Sequence, residues 1–291
     1  MLNRREILNL AATASVSGGF AASAAQASGD ADTPFQIIDS NVHLFQWPFR
    51  HLPLDTTGKL VDKLESLGVE QAWAGSYEGL MHRQMAAVND RLATECGRHA
   101  ELVPIGTIDP TLVRWQNDLE QCVLQHQMPG IRLYPGFHGY SLDSPAFGEL
   151  LNESAAAGLF VQLVVAMEDT RTQHRQHQVP DVDLRPLARI LPEAKGVRLQ
   201  LLGARLRPAE LRSLSTLPGL YFDTSRVDGT DGVPALCRAV PDGRVLYGSH
   251  APFLVPEAAL IRVHESGLVD QHSLAAVYAG NARQFHRGAR L

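Results

Sequence analysis

A single-domain (β/α)8 TIM barrel of the α/β class is the fold this sequence predicts, on three observations. Strand-type apolar runs alternate with helix-type 3–4 spacings eight times. The stretch that does so is about 250 residues long, the usual size of such a barrel. No repeat and no internal linker interrupts it. A doubly wound open sheet is the competitor, but no Gly-x-Gly-x-x-Gly follows the first strand.

The elements follow in order. Phe35–Asp39 reads as strand one. Thr56–Leu67 reads as a helix, with Leu60, Val61, Leu64 and Leu67 on one face and Asp55 as its cap. Val69–Ala74 is strand two, Met85–Cys96 a helix, Leu102–Gly106 strand three, and Leu112–Leu124 a helix with a Leu112, Trp115, Leu119, Val123 stripe. Gly130–Tyr134 is strand four and Phe147–Ala157 a helix. Leu159–Ala166, almost unbroken in apolar residues, fits a parallel strand buried on both faces. A helix at Leu184–Leu191 leads to strands six, seven and eight at Val197–Leu202, Leu220–Asp223 and Arg244–Tyr247. Helices at Pro208–Leu214, Gly232–Ala239, Pro256–His264 and Ser273–Phe285 complete the pattern.

Composition narrows the function classes. Of 291 residues 45% are hydrophobic and 20% charged, enough apolar material to exclude wholesale disorder. The 26 basic against 31 acidic residues give a net charge of −5, which argues against a global nucleic-acid surface. Three widely spaced cysteines, Cys96, Cys122 and Cys237, make neither a disulfide framework nor a cysteine zinc site. The expected partner is a small-molecule substrate, not nucleic acid.

Residues 1–29 read as an address label and linker, leaving 30–291 as the barrel domain. Arg4 and Arg5 precede a weakly apolar Ala/Ser/Gly stretch from Ala11 to Ala25, and Ala25-Gln26-Ala27 offers a small-x-small cleavage site. The segment resembles a bacterial twin-arginine (Tat) export signal, which implies delivery to the periplasm of a chain already folded. No apolar run approaches the ~18 residues of a membrane span, so no membrane contact is expected after cleavage.

A barrel of this kind carries its chemistry at the carboxyl ends of the strands. There the sequence places Asn41 and His43 after strand one, Arg132 and Tyr134 on strand four with His138 beyond, Glu168, Arg171 and His174 after strand five, Asp223 after strand seven, and His250 after strand eight. Strand parity puts Asp39, Asn41 and His43 on one face, Arg132 with Tyr134 on one face, and Gln162, Val164 and Glu168 on one face. His43, Glu168 and His250 are the candidate catalytic residues. Arg132, Tyr134, His138, Asn41, Arg171 and His174 are the candidate substrate contacts. Arg132 in an apolar strand is costly unless paired; it is expected to lie across from Glu168, to face the cavity and to anchor a substrate carboxylate.

Four segments carry a family resemblance: Ile37-Ile38-Asp39-Ser40-Asn41-Val42-His43-Leu44, Met128-Pro129-Gly130-Ile131-Arg132-Leu133-Tyr134-Pro135, Arg244-Val245-Leu246-Tyr247-Gly248-Ser249-His250-Ala251-Pro252-Phe253, and Gly280-Asn281-Ala282-Arg283. Over about residues 35–285 the chain resembles the amidohydrolase-related (amidohydrolase 2) family. The resemblance implies a (β/α)8 barrel of metal-dependent hydrolases, lactonases and non-oxidative decarboxylases. The departures fall on the metal ligands that it implies. Asn41 stands at the first His of His-x-His, Val164 at or near the strand-five His, Leu201 at or near the strand-six His, and His250 at the strand-eight Asp. Met167–His174 resembles a divergent branch rich in such substitutions.

Two enzymatic readings remain at this point. In one, His43, His250 and Glu168 form a two-His-one-carboxylate site for a divalent metal such as zinc. In the other no metal binds; His250 or His43 is the general base and Arg132 with Tyr134 stabilises an oxyanion. The expected reaction is water attack on the carbonyl of a small, carboxylate-bearing lactone, ester or amide. A decarboxylase, or a ligand-binding barrel without chemistry, is the alternative.

Overall fold

The computed structural model describes residues 35–264 and 267–288. The export signal expected at 1–29 lies outside the described residues. Among those described, no helix is long and apolar enough to cross a membrane.

The barrel is built from parallel strands in chain order. β1 (Ile37–Leu44), β2 (Val69–Ser76) and β3 (Leu102–Pro104) pair in one sheet, and β4 (Gly106–Thr107), β5 (Gly130–Leu133), β6 (Phe160–Val164), β7 (Leu199–Leu202), β8 (Leu220–Asp223) and β9 (Val245–Leu246) in the other. β3 and β4 are two halves of one strand: Ile105 between them donates its N–H to Ala74 O at 2.9 Å. The last seam closes between β9 and β1, where Ser40 N meets Tyr247 O and His43 N meets Ala251 O, both at 2.9 Å. Eight strands therefore close on themselves, as the alternation of the sequence predicts.

Outer helices cover the sheet with the stripes read from their spacing. α1 (Thr57–Ser66) buries Leu60, Val61 and Leu64, and α2 (Met85–Cys96) buries Val88 and Leu92. The cap of α1 is Thr56 rather than Asp55: its hydroxyl accepts from Lys59 N, while Asp55 binds the Lys59 ammonium at 3.0 Å. α3 (Trp115–Leu124) begins three residues later than the stripe suggests, after Arg114 turns into the left-handed region at φ 64°. The C-terminal helix is three pieces, Gln271–Ala275, a wider π turn Ala276–Gly280, and Asn281–Arg287. Its Val277 carbonyl is drawn off to accept from Tyr247 N at 2.9 Å, which docks the turn on the end of β9.

Inside the barrel the strands present two layers. Trp73, Phe160 and Phe285 stack at 4.9–6.0 Å and fill the amino-terminal end with Ile38, Ile105 and Leu246. Above them lies a polar layer of Ser40, Arg132, Gln162 and Gln200, each fully buried. Ser40 joins Asp39 and Asn41 indoors because β1 slips register between Asp39 and Val42.

Candidate active site

Arg132 fixes the centre of the barrel. Its Nε donates to Gln162 Oε1 (2.8 Å), NH1 to Val42 O (2.7 Å) and His43 Nε2 (3.2 Å), and NH2 to Trp73 O (3.0 Å) and Ser40 O (3.4 Å). All five donors are therefore spent on β1, β2 and β6. The side chain fits because Gly75 lies opposite: a Cβ there would stand 2.7 Å from Arg132 NH1. The expectation that Arg132 pairs with Glu168 and anchors a substrate carboxylate is corrected. It is sealed: its donors go to backbone carbonyls, Gln162 and His43, and no carboxylate bonds it directly among the described residues.

Its contact with His43 has a chemical consequence. A guanidinium only donates, so His43 Nε2 accepts and the imidazole proton sits on Nδ1. That Nδ1 is buried without a hydrogen-bond partner among the described residues. Burial and the Arg132 charge hold the His43 pKa well below that of a free imidazole, so the ring is neutral. One face stacks on Tyr77 at 4.9 Å and 7°.

His250 is its complement. Its backbone is left-handed, φ 60°, a conformation rare outside glycine. This turns the ring into the mouth, where Nε2 lies 3.0 Å from Met167 O. A carbonyl only accepts, so Nε2 carries the proton and Nδ1 keeps its lone pair. That Nδ1 also has no partner among the described residues. Burial lowers the His250 pKa to about 3. The two rings stand 5.5 Å apart at 85°.

Around this pair lie two buried carboxylates. Asp39 Oδ1 accepts from Asn41 N (3.0 Å) and Ser249 N (2.9 Å), and its other oxygen has no hydrogen-bond partner among the described residues. Burial raises the Asp39 pKa to about 6. Asp223 accepts from Asn41 Nδ2 (2.7 Å) and Gly203 N (3.1 Å), and burial raises its pKa as well. Asn41 thus ties β1 to β8, while its own Oδ1 has no hydrogen-bond partner among the described residues.

The other expected contacts divide. Tyr134 is buried in the mouth, its hydroxyl 3.5 Å from Ser76 O and its pKa pushed up to about 12 by burial. His138 donates from Nε2 to Gly79 O at 2.8 Å, and burial lowers its pKa. Glu168 is corrected: it binds Arg50 (2.6 Å) and Thr172 (3.1 Å), and no hydrogen bond joins it to His43 or His250 among the described residues. Arg171 is corrected too, its side chain 85% exposed and forked onto Asp169. His174 lies exposed on the same loop, its Nδ1 accepting from Gln176 N at 3.3 Å. Neither reaches the mouth.

These residues do not fit the metal that the resemblance implies. Arg132 takes His43 Nε2, and Met167 O takes the Nε2 proton of His250. Glu168 faces Arg50. The inward positions on β6 and β7 are Val164 and Leu202, Leu201 facing the helices instead. Among the described residues no three His, Cys, Asp or Glu side chains are grouped to hold a metal ion. The expected His43–Glu168–His250 zinc site does not form.

The mouth is closed by aromatic rings. Trp47, on the loop after β1, packs edge-on against Tyr77 (5.3 Å), Phe253 (5.1 Å) and Phe137 (6.3 Å). Arg50 on the same loop lies 4.9 Å over Phe253 while it holds Glu168. Beneath, a void of about 10 Å³ beside Tyr134, Val164 and Met167 has room for no more than one water. A cleft of about 540 Å³ opens alongside, lined by Phe45, Glu78, Met81, His82 and Arg91. Tyr77 also lines it and stacks on His43.

No family model matches the chain, and no curated protein matches it in sequence. Solved structures match in fold. The 5-carboxyvanillate decarboxylase of Sphingomonas paucimobilis superposes with TM-score 0.69 at 13% identity, over 87% of this chain and 99% of that one. An uncharacterised TIM-barrel protein of Bordetella bronchiseptica gives 0.68 at 14%, over 87% and 99%. The dihydroxybenzoic acid decarboxylase of Polaromonas sp. JS666, solved with bound manganese and the inhibitor 2-nitroresorcinol, gives 0.68 at 13%, over 89% and 98%. The fold is the one these proteins share.

Proposed function

We propose that the chain is an enzyme working by proton transfer at the mouth of its barrel, beside the cleft of about 540 Å³ that Tyr77 lines, and that its reaction is hydrolysis of a small lactone or ester. The observation that carries this reading is a pair of buried ring nitrogens without hydrogen-bond partners among the described residues: a donor at His43 Nδ1 and an acceptor at His250 Nδ1, in near-perpendicular rings whose centroids lie 5.5 Å apart. A water between them gives its proton to His250 as its oxygen attacks the carbonyl carbon. The carbonyl oxygen, gaining charge, takes the hydrogen bond of His43 Nδ1–H. When the tetrahedral intermediate collapses, the C–O bond breaks and the leaving alkoxide recovers the proton from His250. A base as weak as His250 suits esters and lactones better than amides.

Decarboxylation is the second reading, favoured by the names of two of the structures of like fold. There the C–C bond to the carboxylate breaks, carbon dioxide leaves, and the carbanion takes the His43 proton. One experiment separates the two: the purified full-length chain is given lactones, aryl esters and hydroxybenzoates, and acid release and carbon dioxide are both followed. We expect ring opening or ester cleavage, lowered roughly 100-fold or more by His250→Asn and by His43→Gln, the usual scale of a positioned acid or base. Carbon dioxide without ester cleavage selects the second reading; turnover unaffected by either substitution rejects both.

A further inference from the structure

We infer that Arg226 is an anion subsite of the barrel mouth, built to receive a carboxylate of the substrate. Arg226 follows β8 by three residues and is 7% exposed. Its NH1 is buried without a hydrogen-bond partner among the described residues. Arg132, deeper still, shows what this chain does with a cation meant to be sealed: every donor is used. A buried cation left open is unfavourable until an anion meets it.

The placement points the same way. The stem of Arg226 crosses Gly203, whose φ is 66°; a Cβ there would lie 3.5 Å from Arg226 Cδ and 2.4 Å from Ala166 O. The head group is close enough to His250 for its charge to help keep that imidazole neutral. The acids that face it are Asp169, Asp181 and Asp228, with Arg205 a like charge beside them. Two of the three are committed elsewhere. Asp169 holds Arg171 and Arg205 at 2.8 and 2.9 Å, and Asp228 lies 3.3 Å from Arg205 and 3.8 Å from Arg262. The planar fork of a guanidinium matches a carboxylate in two parallel hydrogen bonds. The inference rests on the reading that this mouth turns over a small molecule, and narrows it: the substrate carries a carboxylate on the Arg226 side of the bond that His250 serves.

Binding of acetate, succinate and benzoate, with benzamide as the neutral control, tests this by calorimetry and by shift of Tm. At least one carboxylate is expected to bind the full-length protein and benzamide to bind at least tenfold more weakly. Arg226→Gln is expected to abolish carboxylate binding, and Arg226→Lys, which keeps the charge without the fork, to weaken it about tenfold. His250→Asn is expected to retain it. No carboxylate binding, equal binding of benzamide, or Arg226→Gln and Arg226→Lys both binding as wild type would overturn the subsite. Carboxylate binding that depends on Arg226 in a protein with no turnover sustains the subsite and defeats the catalytic reading. Turnover whose KM is unmoved by Arg226→Gln defeats the subsite and leaves the catalytic reading standing.

Discussion

His43 and Arg132 meet at 3.2 Å through His43 Nε2, and that contact sets which nitrogen of His43 carries its proton. The tautomer of one residue and the charge of the other are a single unit.

Arg132→Met removes the donor to Ser40 O, Val42 O, Trp73 O and Gln162 at once. Stability is expected to fall by several kcal/mol, since each buried acceptor left without its donor costs about 1–3 kcal/mol. Gly75→Ala pushes a methyl to within 2.7 Å of Arg132 NH1 and is expected to cost about 1–3 kcal/mol. Because both act through one contact, the double variant is expected to lose less than the sum. Urea unfolding of the three variants checks this, and simple additivity would show that the contact is not shared.

The pH dependence has two opposed parts. The His250 pKa falls from 6.5 to about 3 on folding, so between those values the unfolded chain binds the extra proton and stability is lost as pH falls. Asp39 rises from 3.8 to about 6, so in that window the native state binds the extra proton and stability is lost as pH rises. Relative to wild type, His250→Gln is expected to become more stable as pH falls from 6 to 4, and Asp39→Asn as pH rises across the same window. Each difference should change by about 1.4 kcal/mol per pH unit. Parallel stability curves for wild type and either variant would show that the group titrates alike in both states.

Arg50 bridges the loop that carries Trp47 to Glu168 across the mouth. The pair is half exposed on the Arg50 side, so Arg50→Ala is expected to cost less than ~1 kcal/mol of global stability. Amide exchange over residues 45–56 is expected to speed several-fold while the strands keep their protection. Unchanged exchange there would show that the aromatic contacts of Trp47 hold the loop alone.

We propose that residues 1–29 direct export. Arg4→Lys with Arg5→Lys is expected to retain a folded, full-length chain in the cytoplasm, read by cell fractionation; continued export of the double variant would dismiss the signal.

The strands were legible because parallel strands covered on both faces need unbroken apolar runs, and Leu220–Asp223 or Met85–Cys96 could be bounded from spacing alone. Parity also put Arg132 and Gln162 inside. The sequence could not show the slip in β1 that brings Ser40 indoors, since a bulge leaves the residue pattern unchanged. The sequence does not reveal the partner of Glu168, because Arg50 sits on an irregular loop 118 positions away. Nothing in the sequence marks Arg226, because a basic residue just past a strand is ordinarily solvated; only its burial sets it apart, and burial is a property of the folded chain.

The sealed guanidinium has a consequence for where this protein can operate. A cation carried on a side chain arrives with every copy of the polypeptide. Chelators cannot strip it, a competing ion cannot replace it, and scarcity in the surroundings cannot leave it missing. The positive charge beside His43 is therefore set at translation, in fixed proportion to the protein, whatever the ionic composition of the compartment the chain reaches.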